Sequence, residues 1–420
     1  MSRGGNQASV VVAQLGSRQD YTVPVALQKA GMLERLYTDA YLSRGEARLL
    51  RPLAGGGRLS HIARKALSRH NAELDYARVT RFNRLGVRYL KALRGATASV
   101  EKQHQAYLDY GREFNRAVVR HGLAPSTHLY AFDHAALDLF QSRAAEGRTR
   151  VLDQIYPAVH AERLEQEEEE RWPGWSNAPR DSFYRSPLFK RWSEIQLEEW
   201  RLADTIIVAS RYTEQSVAAI LPEVKCKLRN VPLTVNLDAY EPFRHVRRYA
   251  GERPLRVLFA GNVNIRKGLP YLLTAFGRID PRTAKLTVVG GIHLSEEKVK
   301  DFQERVDFRG PVPHVQMPRV YHDADVLVFP TVSDGFGAVM LEAMATGLPV
   351  ISTDHCADIV EDGVNGFRVP IRSPEAIEEK IGRIVRRPEI LEHLSAGAIN
   401  TSEGFSLGSY QAKLRRALNL

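Results

Sequence analysis

Short apolar runs alternate with amphipathic segments throughout the second half of the chain. Four of these runs predict buried strands, at residues 255–260, 285–289, 324–329 and 349–352. The segments between and after them predict helices, at residues 269–279, 295–304, 337–346 and 374–386. Because strands that alternate with helices form right-handed crossover units, this half predicts a parallel sheet with helices on both faces.

The first half repeats this pattern less regularly. Strands are predicted at residues 10–15, 33–37, 128–132, 150–154 and 204–209, and a helix is predicted at 24–31. A polar segment with two prolines, residues 241–254, is the predicted linker between the halves. The sequence therefore predicts an α/β protein of two doubly wound, Rossmann-like domains, at residues 1–240 and 255–400. A C-terminal segment at 401–420 follows, and it is expected to be helical.

The formal net charge of +10 is concentrated in one part of the first domain. Residues 44–94 contain 13 lysines and arginines but only 3 acidic residues, an excess of ten positive charges. They belong to a predicted helical insertion that spans about 44–125. Residues 62–67 and 79–93 have helical patterns, and one face of the second pattern contains Leu85, Tyr89 and Leu93. If that face packs on the domain, four basic side chains stay partly outside: Arg81, Arg84, Arg88 and Lys91.

Three interpretations of this basic insertion remain open. It can be a solvated helical face, or a surface for an anionic lipid or an anionic acceptor. Nucleic acid is not expected as a partner, because no helix-turn-helix, zinc-finger or RNP signature accompanies the charge.

Several other features exclude classes of site. Cys226 and Cys356 are too few and too far apart for a disulfide scaffold or a metal centre, so we expect buried thiols. The acidic run at 167–170 is expected to be a solvated helix end. Asp323 and Asp325 have the spacing of a metal motif, but they precede a strand and lie at the wrong edge of the predicted sheet for a ligand. No segment is long and apolar enough to span a bilayer, so a cytoplasmic location is expected.

The first candidate site is the loop that follows the strand at 255–260. It contains Gly261, Asn262, Arg266 and Lys267, and it leads into a helix. Two cations at a helix N-terminus are unfavourable unless an anion lies between them. Backbone N–H groups, the helix dipole and the two side chains together suit a diphosphate, although solvated loop charges are the alternative.

The second candidate site follows the strand at 324–329, where ligands of parallel sheets bind. Gly335, Phe336 and Gly337 would bring backbone amides close to a ligand. Asp334 can reach the hydroxyls of a sugar or cap the next helix. Glu342 is the one charged residue on an otherwise apolar helix, so it requires a hydrogen-bond donor. Ribose hydroxyls would serve, and a donor from the protein is the alternative.

These motifs resemble the donor signature of family-4 retaining glycosyltransferases, which have the GT-B fold of two facing Rossmann-like domains. The resemblance rests on Asp334 and Glu342 at their spacing, on the segment 342–351, and on Gly261 with Arg266 and Lys267. It extends to the segments 203–210 and 362–370. Three departures stand out: aspartate replaces the usual first glutamate, Asn262 replaces a common arginine, and residues 354–358 lack a glycine pair and glutamate.

The resemblance implies a function and a set of roles. The expected reaction transfers a sugar, with retention, from a UDP- or GDP-sugar to the hydroxyl of a glycan or lipid-linked acceptor, without a cofactor or a metal. Five residues are expected to act in catalysis: Lys267, Arg266, Asp334, Glu342 and His134. Ten are expected to bind the donor: Gly16, Gly261, Asn262, Arg266, Lys267, Asp334, Gly335, Phe336, Gly337 and Glu342.

Two of these expectations concern the first domain, and several alternatives stay open. Gly16 follows the first strand and is placed in the cleft, whereas His134 contacts either the substrates or only solvent. Peripheral association with the inner face of a membrane is expected if the basic insertion binds lipid. The rival functions are a nucleotide-sugar epimerase, a phosphorylase, and a non-enzymatic protein that binds membranes or nucleic acids.

Overall fold

The computed structural model describes residues 8–55, 60–95, 99–178 and 181–420. Two all-parallel sheets dominate this part of the chain. The first has the order β3-β2-β1-β4-β5-β6-β7 and the second the order β10-β9-β8-β11-β12-β13. The first sheet contains β1 (Val10–Gln14), β2 (Leu33–Thr38), β3 (Val79–Arg81), β4 (His128–Phe132), β5 (Thr149–Gln154), β6 (Thr205–Val208) and β7 (Leu228–Asn230). The second contains β8 (Leu255–Ala260), β9 (Ala284–Val289), β10 (Val306–Gly310), β11 (Val326–Phe329), β12 (Val350–Ser352) and β13 (Gly366–Arg368).

Helices cover both faces of each sheet, as the strand–helix alternation predicts. Those of the first half are α1 (Thr22–Lys29), α2 (Arg44–Leu50), α3 (Ser60–Leu67), α4 (Asn83–Gly95), α5 (Val100–His121), α6 (Leu137–Phe140), α7 (Ala158–Arg171), α8 (Asp181–Tyr184), α9 (Pro187–Leu202), α10 (Arg211–Ile220) and α11 (Leu237–Tyr240). Those of the second are α12 (Leu269–Arg278), α13 (Glu296–Phe302), α14 (Met317–His322), α15 (Ala338–Ala345), α16 (Pro374–Arg386), α17 (Ile390–Glu403) and α18 (Leu407–Ala417). None of these helices combines the length and the apolar composition needed to cross a bilayer.

The first sheet separates two hydrophobic cores. Val11 and Ala13 of β1 belong to one core, whereas their neighbours Val10 and Val12 belong to the other. Successive side chains of a strand point to opposite faces, so both faces of β1 are buried. The long apolar run at the start of the chain is therefore the centre of a doubly wound sheet.

The C-terminal helix returns to the first domain. Tyr410 and Leu414 of α18 are buried in the core that contains Val10, and Gln411 Nε2 donates to the carbonyl of Ala26 at 3.0 Å. The preceding helix α17 packs against α15 of the second domain. The chain thus crosses between the domains twice, near residue 240 and near residue 405.

Two expectations about local structure are wrong: Cys226 is exposed rather than buried, and residues 79–81 are not helical. Residues 79–81 form β3 at the edge of the first sheet rather than the start of a helix, because Val79 and Thr80 pair with Leu36 and Tyr37 of β2. The β-branched residues favour that extended pairing, and the helix α4 begins only at Asn83.

The predicted polar linker also contains a buried residue. Arg247 is fully enclosed, and its guanidinium donates to the carbonyls of Ala324 at 3.3 Å and Tyr321 at 2.8 Å. A buried arginine whose N–H groups meet carbonyl oxygens is a fixed structural element. This part of the linker is therefore bound to the second domain.

Candidate active site

Two loops of the second domain meet at the carboxyl edge of its sheet. One follows β8 and spans residues 261–268, and the other follows β11 and spans 330–337. The amide of Val332 donates to the carbonyl of Arg266 at 2.9 Å. Gly268 has a φ of 75° and a Cβ there would collide with the Pro330 carbonyl, so the contact requires glycine. The structure therefore brings together the two candidate sites of the sequence analysis.

Lys267 and Asp334 form an ion pair where these loops touch. Lys267 Nζ donates to Asp334 Oδ2 and lies 5.3 Å from the centroid of the Phe329 ring. Burial lowers the pKa of Lys267, and the Asp334 carboxylate opposes that shift. Burial would raise the pKa of Asp334, but Lys267 and Arg266 hold it below its ordinary value. The ion pair therefore favours the charged form of both side chains.

Arg266 lies beside this pair and faces the first domain. Its Nη1 donates to the carbonyl of Ser333 at 2.9 Å, and its Nε lies 3.6 Å from Glu165 Oε2 of α7. The side chain remains partly exposed. Two cationic side chains thus lie at the N-terminus of α12, as expected from the sequence, but each already contacts an oxygen acceptor of the protein.

Glu342 projects from α15 next to residues that the sequence analysis does not identify. Its Oε2 accepts from Tyr321 Oη at 2.7 Å, and its Oε1 lies 3.3 Å from His314 Nε2. The hydrogen bond to Glu342 raises the pKa of His314, although burial opposes the shift. The protein therefore supplies hydrogen-bond partners to this carboxylate, which is the alternative left open above.

The loop with Asp334 also contacts the first domain. Thr213 Oγ1 of α10 donates to the Gly335 carbonyl at 3.2 Å, and a Cβ on Gly335 would collide with the Ile155 carbonyl after β5. Gly337 is the N-cap of α15, with a φ of 80°, and Phe336 is buried. Asp334 is therefore not the helix cap, and its side chain is committed to Lys267.

The remaining donor-site candidates lie on the adjoining turn. Gly261 has a φ of 134°, and its carbonyl leaves no room for a side chain on Gly290. Asn262 is exposed beside Gly291. Two glycine turns thus pack backbone to backbone after β8 and β9.

In the first domain, Gly16 and His134 follow neighbouring strands. Gly16 has a φ of 90°, and its amide donates to Asp39 Oδ1 at 2.8 Å. His134 is 4% exposed and stacks on Trp192 with a centroid distance of 3.6 Å. Burial lowers the pKa of His134, so its imidazole is neutral at pH 7. The alternative that His134 contacts only solvent is therefore wrong. The His134 ring also stacks on the ring of Tyr156, with a centroid distance of 6.3 Å.

Glu199 of α9 holds the His134 turn in place. Its carboxylate accepts from the amides of His134 at 2.7 Å, Ala136 at 2.8 Å and Leu137 at 3.0 Å. These three N–H groups would otherwise be buried without acceptors. The sequence gives no signal for this role, because Glu199 lies in an amphipathic helix 65 residues away from His134.

The Asp-x-Asp motif forms ion pairs at the opposite edge of the second sheet. Asp325 is buried and accepts from Arg253 Nη2 and Arg256 Nη2, each at 2.9 Å. Asp323 pairs with Arg319 at 3.4 Å. The two arginines beside Asp325 keep its pKa low despite its burial.

Comparison with known proteins agrees with this geometry. Residues 254–387 match the family model of the glycosyl transferases group 1. An uncharacterized glycosyltransferase of Methanocaldococcus jannaschii is 29% identical over 197 residues, which cover 43% of this chain and 50% of that protein. The D-inositol 3-phosphate glycosyltransferase of Frankia alni is 31% identical over 36% of this chain and 41% of that protein. The chain spans about half the length of the curated relatives it matches.

Solved structures match almost the whole chain. Sucrose-phosphate synthase from Thermosynechococcus elongatus has a TM-score of 0.64 at 16% identity, with 98% of both chains covered. WaaG, a glycosyltransferase involved in lipopolysaccharide biosynthesis, has a TM-score of 0.60 at 15% identity, with 96% of this chain and 98% of that one covered. The chain therefore has the GT-B fold of two facing Rossmann-like domains, and its residues 254–387 are similar to the glycosyl transferases group 1.

Proposed function

We propose that the protein is a retaining glycosyltransferase that moves a sugar from a nucleoside-diphosphate sugar to the hydroxyl of a glycan or lipid-linked acceptor. The observation that supports this most strongly is the grouping of Arg266, Lys267, Asp334 and Glu342 at the carboxyl edge of the second sheet. That edge faces the first domain, and ligands of parallel sheets bind there.

The diphosphate of the donor is assigned to Arg266 and Lys267. An ammonium has three N–H donors, and Asp334 occupies one of those of Lys267, so two remain for phosphate oxygens. The exposed part of Arg266 lies on the same side. As the bond to the sugar breaks, negative charge develops on the leaving phosphate, and these two cations stabilise it.

The ribose of the donor is assigned to Glu342. A carboxylate offers about four acceptor positions, and Tyr321 and His314 occupy two of them. The others are available to the two ribose hydroxyls. The buried Tyr321 fixes the carboxylate from behind, so its orientation does not depend on the ligand.

The sugar lies next to Asp334 and the amides near Gly337, with the acceptor on the side of the first domain. The acceptor hydroxyl attacks from the face that the phosphate leaves, so the anomeric configuration is retained. Two structural neighbours support the substrate class: Anabaena HepE was solved with UDP-glucose, and TarM with UDP and α-GlcNAc-glycerol. We therefore assign a UDP-sugar as the first donor to test.

Thermal denaturation in the presence of nucleotides tests the donor site. A ligand that binds only the native state stabilises it by about 2.7 kcal/mol at a concentration of 100 times Kd. We expect UDP or UDP-glucose to raise the Tm of the wild-type protein and to have little effect on Glu342→Ala. The matched control is Glu297→Ala, which removes an exposed carboxylate of α13 and should leave the ligand response intact. If no nucleoside diphosphate or nucleotide sugar raises the wild-type Tm, the proposed donor site is wrong.

Sugar transfer is expected to persist in excess EDTA. Arg266 and Lys267 supply the positive charge that a divalent cation would otherwise provide to the diphosphate. The measurement is the initial rate with and without the chelator, at constant ionic strength. A loss of activity that Mg²⁺ or Mn²⁺ restores would show that a metal ion takes part.

A further inference from the structure

Exposed apolar side chains are concentrated in the basic part of the first domain. Leu49 of α2 is 79% exposed, Leu53 is 45% exposed, and Ile62 of α3 is 47% exposed. Single exposed apolar residues are common on protein surfaces, but α2, the turn at residues 51–54 and α3 pack against one another, so these three side chains lie on adjoining elements and form a patch. We name this patch the α2–α3 surface. It also includes four exposed arginines, Arg44, Arg48, Arg51 and Arg64.

Three arginines of this surface, Arg44, Arg48 and Arg51, lie on α2 and on the turn that follows it. Among the residues that the structure describes, no carboxylate forms an ion pair with Arg44, Arg48 or Arg51. The acidic residue of α2, Glu46, is already bound to Arg81 at 2.5 Å and caps its own helix through Ser43. The α2–α3 surface therefore presents positive charge and apolar groups together.

The second segment with a predicted helical pattern, residues 79–93, packs its predicted apolar face on the domain instead of exposing it. Leu85 and Leu93 of α4 pack against the core, and Tyr89 is buried in it, as the sequence analysis expects. Arg84, Arg88 and Lys91 are exposed, but Arg81 is engaged by Glu46 and lies 5.4 Å from the centroid of the Tyr76 ring. Arg88 is also ion-paired, with Glu113 at 3.1 Å, so two of the four expected side chains, Arg84 and Lys91, extend the basic surface.

The α2–α3 surface is linked to the cleft edge of the first domain. Arg69, two residues after the end of α3, is buried and donates to Asp39 Oδ1 at 2.8 Å. The same Asp39 oxygen accepts from the amide of Gly16 after β1. Asp39 and Gly16 follow the carboxyl ends of β2 and β1, so Arg69 connects the segment after α3 to the carboxyl edge of the first sheet.

We propose that the α2–α3 surface docks the protein on an anionic lipid bilayer. The arginines pair with lipid headgroups while Leu49, Leu53 and Ile62 enter the interface between headgroups and acyl chains. The use of this position to present a lipid-linked acceptor rests on the proposed function, whereas bilayer binding itself does not. The mixture of exposed leucines with arginines favours lipid over nucleic acid, whose backbone offers charge but no apolar phase.

Co-sedimentation with vesicles tests the proposal. The full chain should bind vesicles of equal parts phosphatidylglycerol and phosphatidylcholine, and much less phosphatidylcholine alone. Binding to the anionic vesicles should weaken as NaCl rises from 0.1 M to 1 M, because the Debye length falls from about 10 Å to about 3 Å. Arg48→Glu/Arg51→Glu should weaken binding at low salt by at least about 30-fold, since each basic residue near such a surface contributes about 1 kcal/mol.

A second variant tests the apolar part. Leu49→Ser/Leu53→Ser should weaken binding about tenfold or more even at high salt, whereas Val315→Ser, at an exposed valine of the second domain, should not. The Tm increase caused by UDP should be unchanged in all three variants, which separates this proposal from the donor site. Equal binding to both vesicle types, binding to neither, or binding to duplex DNA instead of vesicles would overturn it.

Discussion

Lys267→Ala is expected to lower the rate of sugar transfer by a factor of about 10²–10³, the usual cost of removing one group that stabilises charge in a transition state. In the structure Lys267 Nζ is buried, paired with Asp334 and placed before α12, where the leaving phosphate of the donor is assigned. The measurement is kcat and kcat/KM with a UDP-sugar donor, together with the Tm of each variant.

The ion pair makes a single substitution ambiguous, so a second variant is needed. Lys267→Ala leaves the Asp334 carboxylate without its partner, and that alone can destabilise the loop. Lys267→Ala/Asp334→Asn removes both charges and should restore the Tm without restoring activity. Lys285→Ala, at an exposed lysine of β9 on the other side of the domain, should change neither. Near-normal turnover in both Lys267 variants would show that the donor phosphate lies elsewhere.

The second domain could be predicted closely because its strands are buried on both faces. The boundaries of β8 at Leu255–Ala260 and of α16 at Pro374–Arg386 agree with those expected from the sequence. Continuous apolar runs that end at glycine or proline leave little choice of strand or helix. The four edge strands β3, β7, β10 and β13 were not predicted, because a strand with one partner is short or only partly buried and has no continuous apolar run.

The candidate site could be predicted only where its chemistry is local in sequence. The loops with Lys267 and Asp334 each follow a strand, so their meeting at one sheet edge follows from parallel topology. The partners of Glu342 could not be predicted, because His314 and Tyr321 reach it from a different crossover unit. Tertiary packing, rather than any motif, decides which polar groups meet at such a carboxylate.

The acidic run at residues 167–170 is a second case in which the partners of a carboxylate could not be predicted from the sequence. We expected a solvated helix end, and this is wrong for Glu168, which is fully buried. Glu168 Oε2 accepts from Tyr271 Oη of α12 at 2.5 Å, and Oε1 accepts from Arg372 Nε at 2.6 Å. Helix α7 belongs to the first half of the chain, but its end packs on the second domain. Four consecutive acidic residues give no indication of which one faces that neighbour.

Arg372→Ala is expected to reduce the free energy of unfolding by about 3–5 kcal/mol, because it leaves the fully buried Glu168 carboxylate without its cation. Arg372 occupies the turn before α16 with a φ of 63°, and it also contacts Glu167 at 2.7 Å. This ion-pair cluster joins α7 to the second domain. Urea denaturation should be followed by tryptophan fluorescence, since the Trp172 ring centroid is 5.3 Å from that of Tyr271 beside the cluster.

Two further variants distinguish the loss of the cation that pairs with Glu168 from the loss of the Arg372 side chain itself. Glu168→Gln/Arg372→Met removes both charges and keeps the acceptor for Tyr271, so it should recover most of the lost stability. Arg248→Ala breaks a highly exposed ion pair with Glu392 and should have no measurable effect. If Arg372→Ala unfolds at the same urea concentration as Arg248→Ala, the buried pair does not hold the two domains together. The contacts of α10 with Ser333 and Gly335 would then be the interface that sets their relative position.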